Sequence, residues 1–235
     1  MRQQRIALYG GTFDPVHVGH LAVAQRLLEV FALETVLFIP AYLAPHKRTA
    51  PPSSPWQRYA MLALATQDES RLQVLSVELE SPERPYTVET LAHLQSELGR
   101  SARLFFVMGA DSWAEIDTWR EWERVLMLCD HIVVTRPGYS LGVARVTDTI
   151  RQRIVDLRGL SDEEIARAVG ESRAGIFFTD AVQINVSATE IRRALGGSEG
   201  DRMAVAALLP PPVANFIEKY QLYREAHETE ANDRR

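Results

Sequence analysis

The chain has 235 residues, enough to bury a sizeable core, and reads as a single domain over residues 1–224 with a charged, disordered tail at 225–235. A net charge of -5 lacks the basic excess of a general nucleic-acid binder, and no apolar run approaches membrane-spanning length. The single cysteine, Cys129, excludes an intrachain disulfide and any Cys-x-x-Cys metal site, and its apolar surroundings predict a packed thiol. With no apolar leader at its start, the chain is expected to be cytoplasmic.

Residues 6–9 are an apolar run that reads as a buried first strand. Leu21, Ala24, Leu27, Leu28 and Phe31 then recur at helical spacing. Between strand and helix lies Gly10-Gly11-Thr12-Phe13-Asp14-Pro15-Val16-His17-Val18-Gly19-His20. The two glycines are expected to let the backbone approach a ligand closely, and Pro15 to pre-set a turn at the helix entrance. His17 and His20 are three apart, hence on one face of the first helical turn. The unpaired N–H groups and positive dipole end of that turn suit phosphate. The segment is neither the phosphate loop Gly-x4-Gly-Lys-Ser/Thr nor the dinucleotide fingerprint Gly-x-Gly-x-x-Gly.

Residues 35–39, β-branched and aromatic, predict a second buried strand and with it a right-handed parallel crossover. Residues 40–55 read as a loop centred on Pro45-His46-Lys47-Arg48, with 45–52 expected to order when substrate binds. An amphipathic helix over 56–66 should turn Tyr59, Leu62, Ala63 and Thr66 inward, and 72–79 alternates like a half-exposed strand. After a turn at 81–85, Thr87 is the expected N-cap of a helix reaching Leu98 and stopped by Gly99. Glu89, only two residues on, leaves that capping box incomplete.

Residues 103–108 are the most hydrophobic strand and should lie centrally. They run into Gly109-Ala110-Asp111-Ser112, and the carboxyl end of a central strand is where open α/β sheets bind ligands. Trp113, Trp119 and Trp122 follow, then a strand at 131–135 ended by Arg136-Pro137-Gly138. Residues 138–175 are polar and predict two short helices, one over 160–169 with a Ser161/Glu164 capping box, before a last strand at 175–179. The alternation of strands and helices predicts a doubly wound parallel α/β sheet.

A second motif, Asn185-Val186-Ser187-Ala188-Thr189-Glu190-Ile191-Arg192, reads as another helix start. Ser187 and Glu190 form a Ser-x-x-Glu box and need no further role. Thr189 and Arg192, three apart on the first turn, offer a hydroxyl and a guanidinium suited to phosphate oxygens. The first motif resembles the (His/Thr)-x-Gly-His signature of the nucleotidyltransferase superfamily. Together the two resemble the bacterial nicotinate-nucleotide adenylyltransferase family, whose second signature is close to Ile-Ser-Ser-Thr-x-Ile-Arg; here Val186 and Ala188 replace its isoleucine and second serine. The likeness runs on through Pro45-His46-Lys47, Pro85-Tyr86-Thr87, Gly109-Ala110-Asp111-Ser112, Thr118-Trp119 and Arg136-Pro137-Gly138-Tyr139, covering residues 5 to 224.

The resemblance implies a Rossmann-like doubly wound sheet of the nucleotidyltransferase type. It implies transfer of AMP from ATP to nicotinate mononucleotide, giving nicotinate adenine dinucleotide and pyrophosphate in NAD biosynthesis, with Mg²⁺ arriving with ATP and no protein metal ligand. His17, His20 and Arg192 would be catalytic. Gly10, Gly11, Thr12, Phe13, Gly109, Asp111, Ser187 and Thr189 would join them in binding ATP. His46, Lys47, Thr87, Trp119 and Arg136 would take the mononucleotide, Trp119 by stacking on its ring. Many relatives carry an aromatic residue after Trp119 where this chain has Arg120. The implied partners are small-molecule substrates, with neither nucleic acid nor membrane, and room is left for a homo-oligomer. The competing readings are the same reaction on nicotinamide mononucleotide or on both mononucleotides, pantetheine-phosphate adenylyl transfer, and a nucleotide-binding regulatory module without catalysis.

Overall fold

The computed structural model describes residues 3–42, 53–80, 86–135, 146–172, 174–182 and 186–224. The predicted loop at 45–52, the turn at 81–85 and the tail at 225–235 lie outside these residues. In chain order the elements are β1 (Gln4–Gly11), α1 (Val18–Val30), β2 (Thr35–Pro40), α2 (Pro55–Thr66), β3 (Leu72–Val74), α3 (Thr87–Leu98), β4 (Ala102–Gly109) and α4 (Ala110–Ala114). There follow α5 (Trp122–Leu128), β5 (Asp130–Val134), α6 (Asp148–Arg151), β6 (Ile154–Asp156), α7 (Asp162–Glu171) and β7 (Ile176–Thr179). The second motif opens α8 (Ala188–Gly196), and α9 (Glu199–Val205) and α10 (Pro211–Lys219) close the described chain.

The strands of the described residues all pair in parallel in one sheet, in the order β3-β2-β1-β4-β5-β7-β6. The chain winds outward from β1 to β3, then returns to place β4 on the other side of β1. Strand order therefore reverses between β1 and β4, and the crevice above their carboxyl ends is the topological switch point where such sheets take ligands. Residues alternate between two apolar layers. Ala7, Phe38, Phe105, Ile132 and Phe177 pack under α1, α2 and α7. Leu8, Leu37, Phe106, Val133 and Phe178 pack under α3, Trp113 and α5. Both faces are covered, which is why the central strands carry continuous apolar runs.

Four local expectations are corrected. The strand predicted over 72–79 stops at Val74. Val36 and Leu75 supply rungs of the β2–β3 ladder, but the next rung would need an amide hydrogen from Pro40, which has none. The apolar alternation beyond it serves a turn in which Glu78 accepts the Tyr42 amide and the Thr90 hydroxyl. Burial raises the Glu78 carboxyl above its ordinary range. The inward face of α2 carries Arg58, Met61, Leu62 and Thr66, while Ala63 is exposed and Tyr59 half-buried. The N-cap of α3 is Tyr86, with Thr87 as first helical residue and Glu89 as third, so the Glu89 carboxylate does accept the Tyr86 amide at 3.2 Å. The region 138–175 also holds a strand, β6, as well as helices. The Ser161/Glu164 box forms as expected.

One polar group is stranded in the second layer. His131 of β5 is fully buried; its Nδ1 meets the Cys129 carbonyl at 3.2 Å, and its Nε2 has no partner among the described residues. Burial, with repulsion from Arg153 added, pulls the imidazole down to about 3. The unfolded chain gains that proton near the ordinary value of about 6.5, so stability is present in full above about pH 6.5 and is lost as pH falls toward about 3. His131→Phe should flatten this part of the acid limb. Urea midpoints at about pH 7 and about pH 5 should lie closer together in the variant than in the wild type. Equal separations would remove His131 from the account.

Candidate active site

The switch-point crevice is a cleft of about 430 Å³. Its walls come from the carboxyl ends of β1, β4 and β5, the first turns of α1 and α4, and the opening of α8. Gly10, Gly11, Phe13, His17, His20, Gly109, Asp111, Ser187 and Thr189 all line it, so two motifs far apart in sequence face one space. Their helix entrances converge there, each presenting the positive end of a dipole to the same volume.

His17 caps α1 and His20 is its third residue. The rings stack at 3.7 Å between centroids, and His20 Nδ1 accepts the His17 amide at 3.3 Å. Because Nδ1 accepts, the proton of the neutral His20 ring sits on Nε2, where it is a donor. Phe13 and Tyr9 hold this ring edge-on at 5.0 and 6.3 Å. At α8 the Ser187 hydroxyl accepts the Glu190 amide at 3.4 Å, the expected first half of the capping box.

Two of these glycines also make room for neighbouring rings. A Cβ on Gly11 would come within 2.8 Å of the Phe13 ring, and one on Gly10 within 3.0 Å of the Phe106 ring. Their lack of side chains thus admits two aromatic rings. Phe13 itself takes a positive φ of 51°, sparsely populated for a residue with a side chain, and is held there by contacts with Tyr9 and Phe38. Gly109, by contrast, faces open space, with nothing within 4 Å of an added Cβ.

Arg192 is not among the lining residues, and it joins the two motifs. Its Nη1 donates to the Asp14 carbonyl at 2.6 Å and its Nη2 to the Thr189 hydroxyl at 3.3 Å. Thr12 is not among the lining residues; its carbonyl accepts Arg58 Nη1 at 2.7 Å. Arg58 is fully buried and also donates to the carbonyls of Ser53, Ala41 and Tyr42. Burial lowers its affinity for its proton, an effect that Asp14 partly offsets. Trp119 and Thr87 stand apart from the cleft. Trp119 packs edge-on against Phe106 at 6.4 Å, on the ring that fills the space beside Gly10. Its neighbour Arg120 lies 4.5 Å over the Tyr86 ring and pairs with Glu89 at 3.4 Å, drawing this segment to the first turn of α3, where Thr87 sits. His46, Lys47 and Arg136 lie outside the described residues. Tyr9, Asp14, Arg58, Thr135 and Tyr223 were missed from sequence; Tyr9 and Thr135 end predicted strands beside the crevice and Asp14 lies within the first motif, whereas Arg58 and Tyr223 carried no signal.

Residues 8–194 match the cytidylyltransferase-like family. The chain is 35% identical over 225 residues to a probable nicotinate-nucleotide adenylyltransferase of Desulfatibacillum aliphaticivorans, an alignment covering 93% of this chain and 99% of the relative. It is 38% identical over 221 residues to one from Desulfitobacterium hafniense, covering 94% and 96% of the two chains. The chain belongs to the nicotinate-nucleotide adenylyltransferase family. Among solved structures, a Plasmodium falciparum nicotinic acid mononucleotide adenylyltransferase complexed with NaAD is similar in fold, with a TM-score of 0.67 at 18% identity, over 94% of this chain and 97% of that one. The doubly wound nucleotidyltransferase fold expected of this family is therefore the one observed. No helix of the described residues is long and apolar enough to cross a membrane.

Proposed function

We propose that the chain transfers AMP from ATP to nicotinate mononucleotide, releasing pyrophosphate and forming nicotinate adenine dinucleotide, in the cytoplasm. The observation that carries this reading is the meeting of both helix entrances at the switch point, with His17 and His20 on one wall and Ser187 and Thr189 on another. A phosphate monoester oxygen of the mononucleotide attacks the α-phosphorus of ATP. A new P–O bond forms as the bond to the β-bridging oxygen breaks, and pyrophosphate leaves with the electron pair. The dianion is already a nucleophile, so the protein's task is positioning and neutralising charge.

We assign the His20 Nε2–H donor, the first turn of α1, and the Thr189 and Arg192 donors to the phosphate oxygens. We assign Gly109 and Asp111, which line the cleft, to the adenosine, and the clear space above Gly109 suits a flat group seated against the backbone. The described cleft offers hydroxyls, imidazoles and a lone aspartate, and no group of three or more metal-binding side chains occurs among the described residues. This donor set fits a Mg²⁺ held by triphosphate oxygens. When bound, it would supply charge neutralisation to the departing pyrophosphate.

The acid-or-amide choice falls to the Thr87 region. Thr87 opens a 12-residue helix, whose first-turn amides and dipole favour a carboxylate. An amide would turn its N–H₂ toward donors that cannot accept it, at about 1–3 kcal/mol for each unpaired group. We therefore expect kcat/KM at least roughly a hundredfold higher for nicotinate mononucleotide than for nicotinamide mononucleotide. Pyrophosphate release with the two substrates, side by side, decides it. Comparable rates would make the enzyme dual-specific, and no rate with either would return the chain to a binding role.

A further inference from the structure

Asp14 lies inside the first motif, but its carboxylate points away from the work assigned to that motif. It is 1% exposed, accepts the Tyr223 hydroxyl at 2.6 Å on Oδ1, and accepts the Ser53 amide at 3.2 and 3.3 Å on its two oxygens. Its own peptide carbonyl takes the 2.6 Å bond from Arg192. One residue thus has its side chain fixed from behind and its carbonyl engaged from in front.

The Arg192 guanidinium has five N–H groups in a rigid fork, so the direction in which it presents the others is set by the acceptor that holds Nη1. That acceptor is a backbone oxygen, and a backbone oxygen is only as well placed as the residue carrying it. The second bond, to the Thr189 hydroxyl, runs within α8 and cannot register Arg192 against the first motif. Asp14 supplies that registration, and Tyr223 and the Ser53 amide hold Asp14.

Tyr223 is delivered at some conformational cost. It has a φ of 64° and Gln221 a φ of 54°, both in the left-handed region that side chains disfavour. The chain reverses here after α10, with the Leu222 amide bonded to the Ile217 carbonyl. Burial and the neighbouring Asp14 charge both raise the Tyr223 hydroxyl above its ordinary range, so it remains a protonated donor. Phenylalanine would keep the ring packing and delete the hydroxyl, which bonds Asp14 at 2.6 Å and also meets Met61 Sδ at 4.0 Å and the Ser53 side chain.

We propose that Tyr223 is a positioning residue for phosphate binding: through the Asp14 carboxylate it fixes the Asp14 carbonyl, which sets the direction of the Arg192 guanidinium. This rests on the reading of Arg192 as a phosphate ligand. A merely structural Tyr223 would change the melting temperature and leave ligand binding alone at temperatures where the protein is folded. A relay predicts instead that the effect of Tyr223 is felt through Arg192.

The test is a double-mutant cycle on the full chain with Tyr223→Phe, Arg192→Lys and the double variant, reading calorimetric binding of inorganic pyrophosphate and kcat/KM for pyrophosphate release. Tyr223→Phe alone should weaken pyrophosphate binding about tenfold, the scale of a lost hydrogen bond to a charged group. In the Arg192→Lys background the same change should cost less than about twofold. Asp14→Ala is the second variant, since it removes the side-chain acceptor while keeping the backbone carbonyl, and it should show the same coupling. Equal factors in both backgrounds, or no weakening by Tyr223→Phe while Arg192→Lys does weaken binding, overturn the relay alone. Wild-type binding retained in Arg192→Lys would overturn the assignment of Arg192 itself, and the relay with it.

Discussion

His20→Ala is expected to lower kcat by about 10²- to 10³-fold, the usual cost of removing one preorganised donor from a site of developing charge. The ring stacks on His17 and presents Nε2–H while its Nδ1 accepts the His17 amide. It is half-buried, so its loss opens no large cavity in either apolar layer. His20→Asn separates the two duties, because its carbonyl oxygen can replace Nδ1 as the cap acceptor. The asparagine variant should keep its thermal midpoint and still lose turnover. Steady-state pyrophosphate release alongside circular dichroism reads both quantities. Near-full kcat in either variant would withdraw His20 from the reaction.

Arg58→Leu should be the most damaging single change to folding, at about 3–5 kcal/mol, the range seen when a buried charged group is removed from its partners. The guanidinium serves four carbonyls, at Thr12, Ala41, Tyr42 and Ser53, none of which gains a donor from leucine. Each carbonyl left dry costs about 1–3 kcal/mol, and water entry relieves part of that sum. Arg58→Lys should fall between, since one ammonium cannot span the positions that a planar fork reaches. Urea unfolding measures the series. A loss under about 1 kcal/mol for the leucine variant would mean that these carbonyls find other partners.

The central strands were legible because burial on both faces writes itself as unbroken apolar runs, as in Leu104 to Met108. β6 was not, being three residues long and only partly buried. β3 was overread because periodicity carries no notice that its neighbour runs out of amide hydrogens at Pro40. The helix face of α2 was misphased by one arginine, which composition assigns to solvent and four carbonyls draw inside. In the site, each motif was readable because a strand, a turn and a helix entrance are local. The ring space beside Gly10 and Gly11 was not, since Phe106 reaches Gly10 from another strand. Nor were the links through Asp14, whose partners stand 39, 178 and 209 residues away.

Those separations also set a timetable for synthesis. Asp14 leaves the ribosome early, and at about 5–20 residues per second the Tyr223 hydroxyl follows roughly 10–40 s later. Until then the carboxylate that will be buried has only water and the Ser53 amide to bind, and Arg192 arrives with its anchor half secured. The nascent chain can pair β1 with β2 well before this, so the sheet has a head start over the site. The motif translated first is the last to be finished, and nucleotide has no completed site to stabilise until the final described residues have been made.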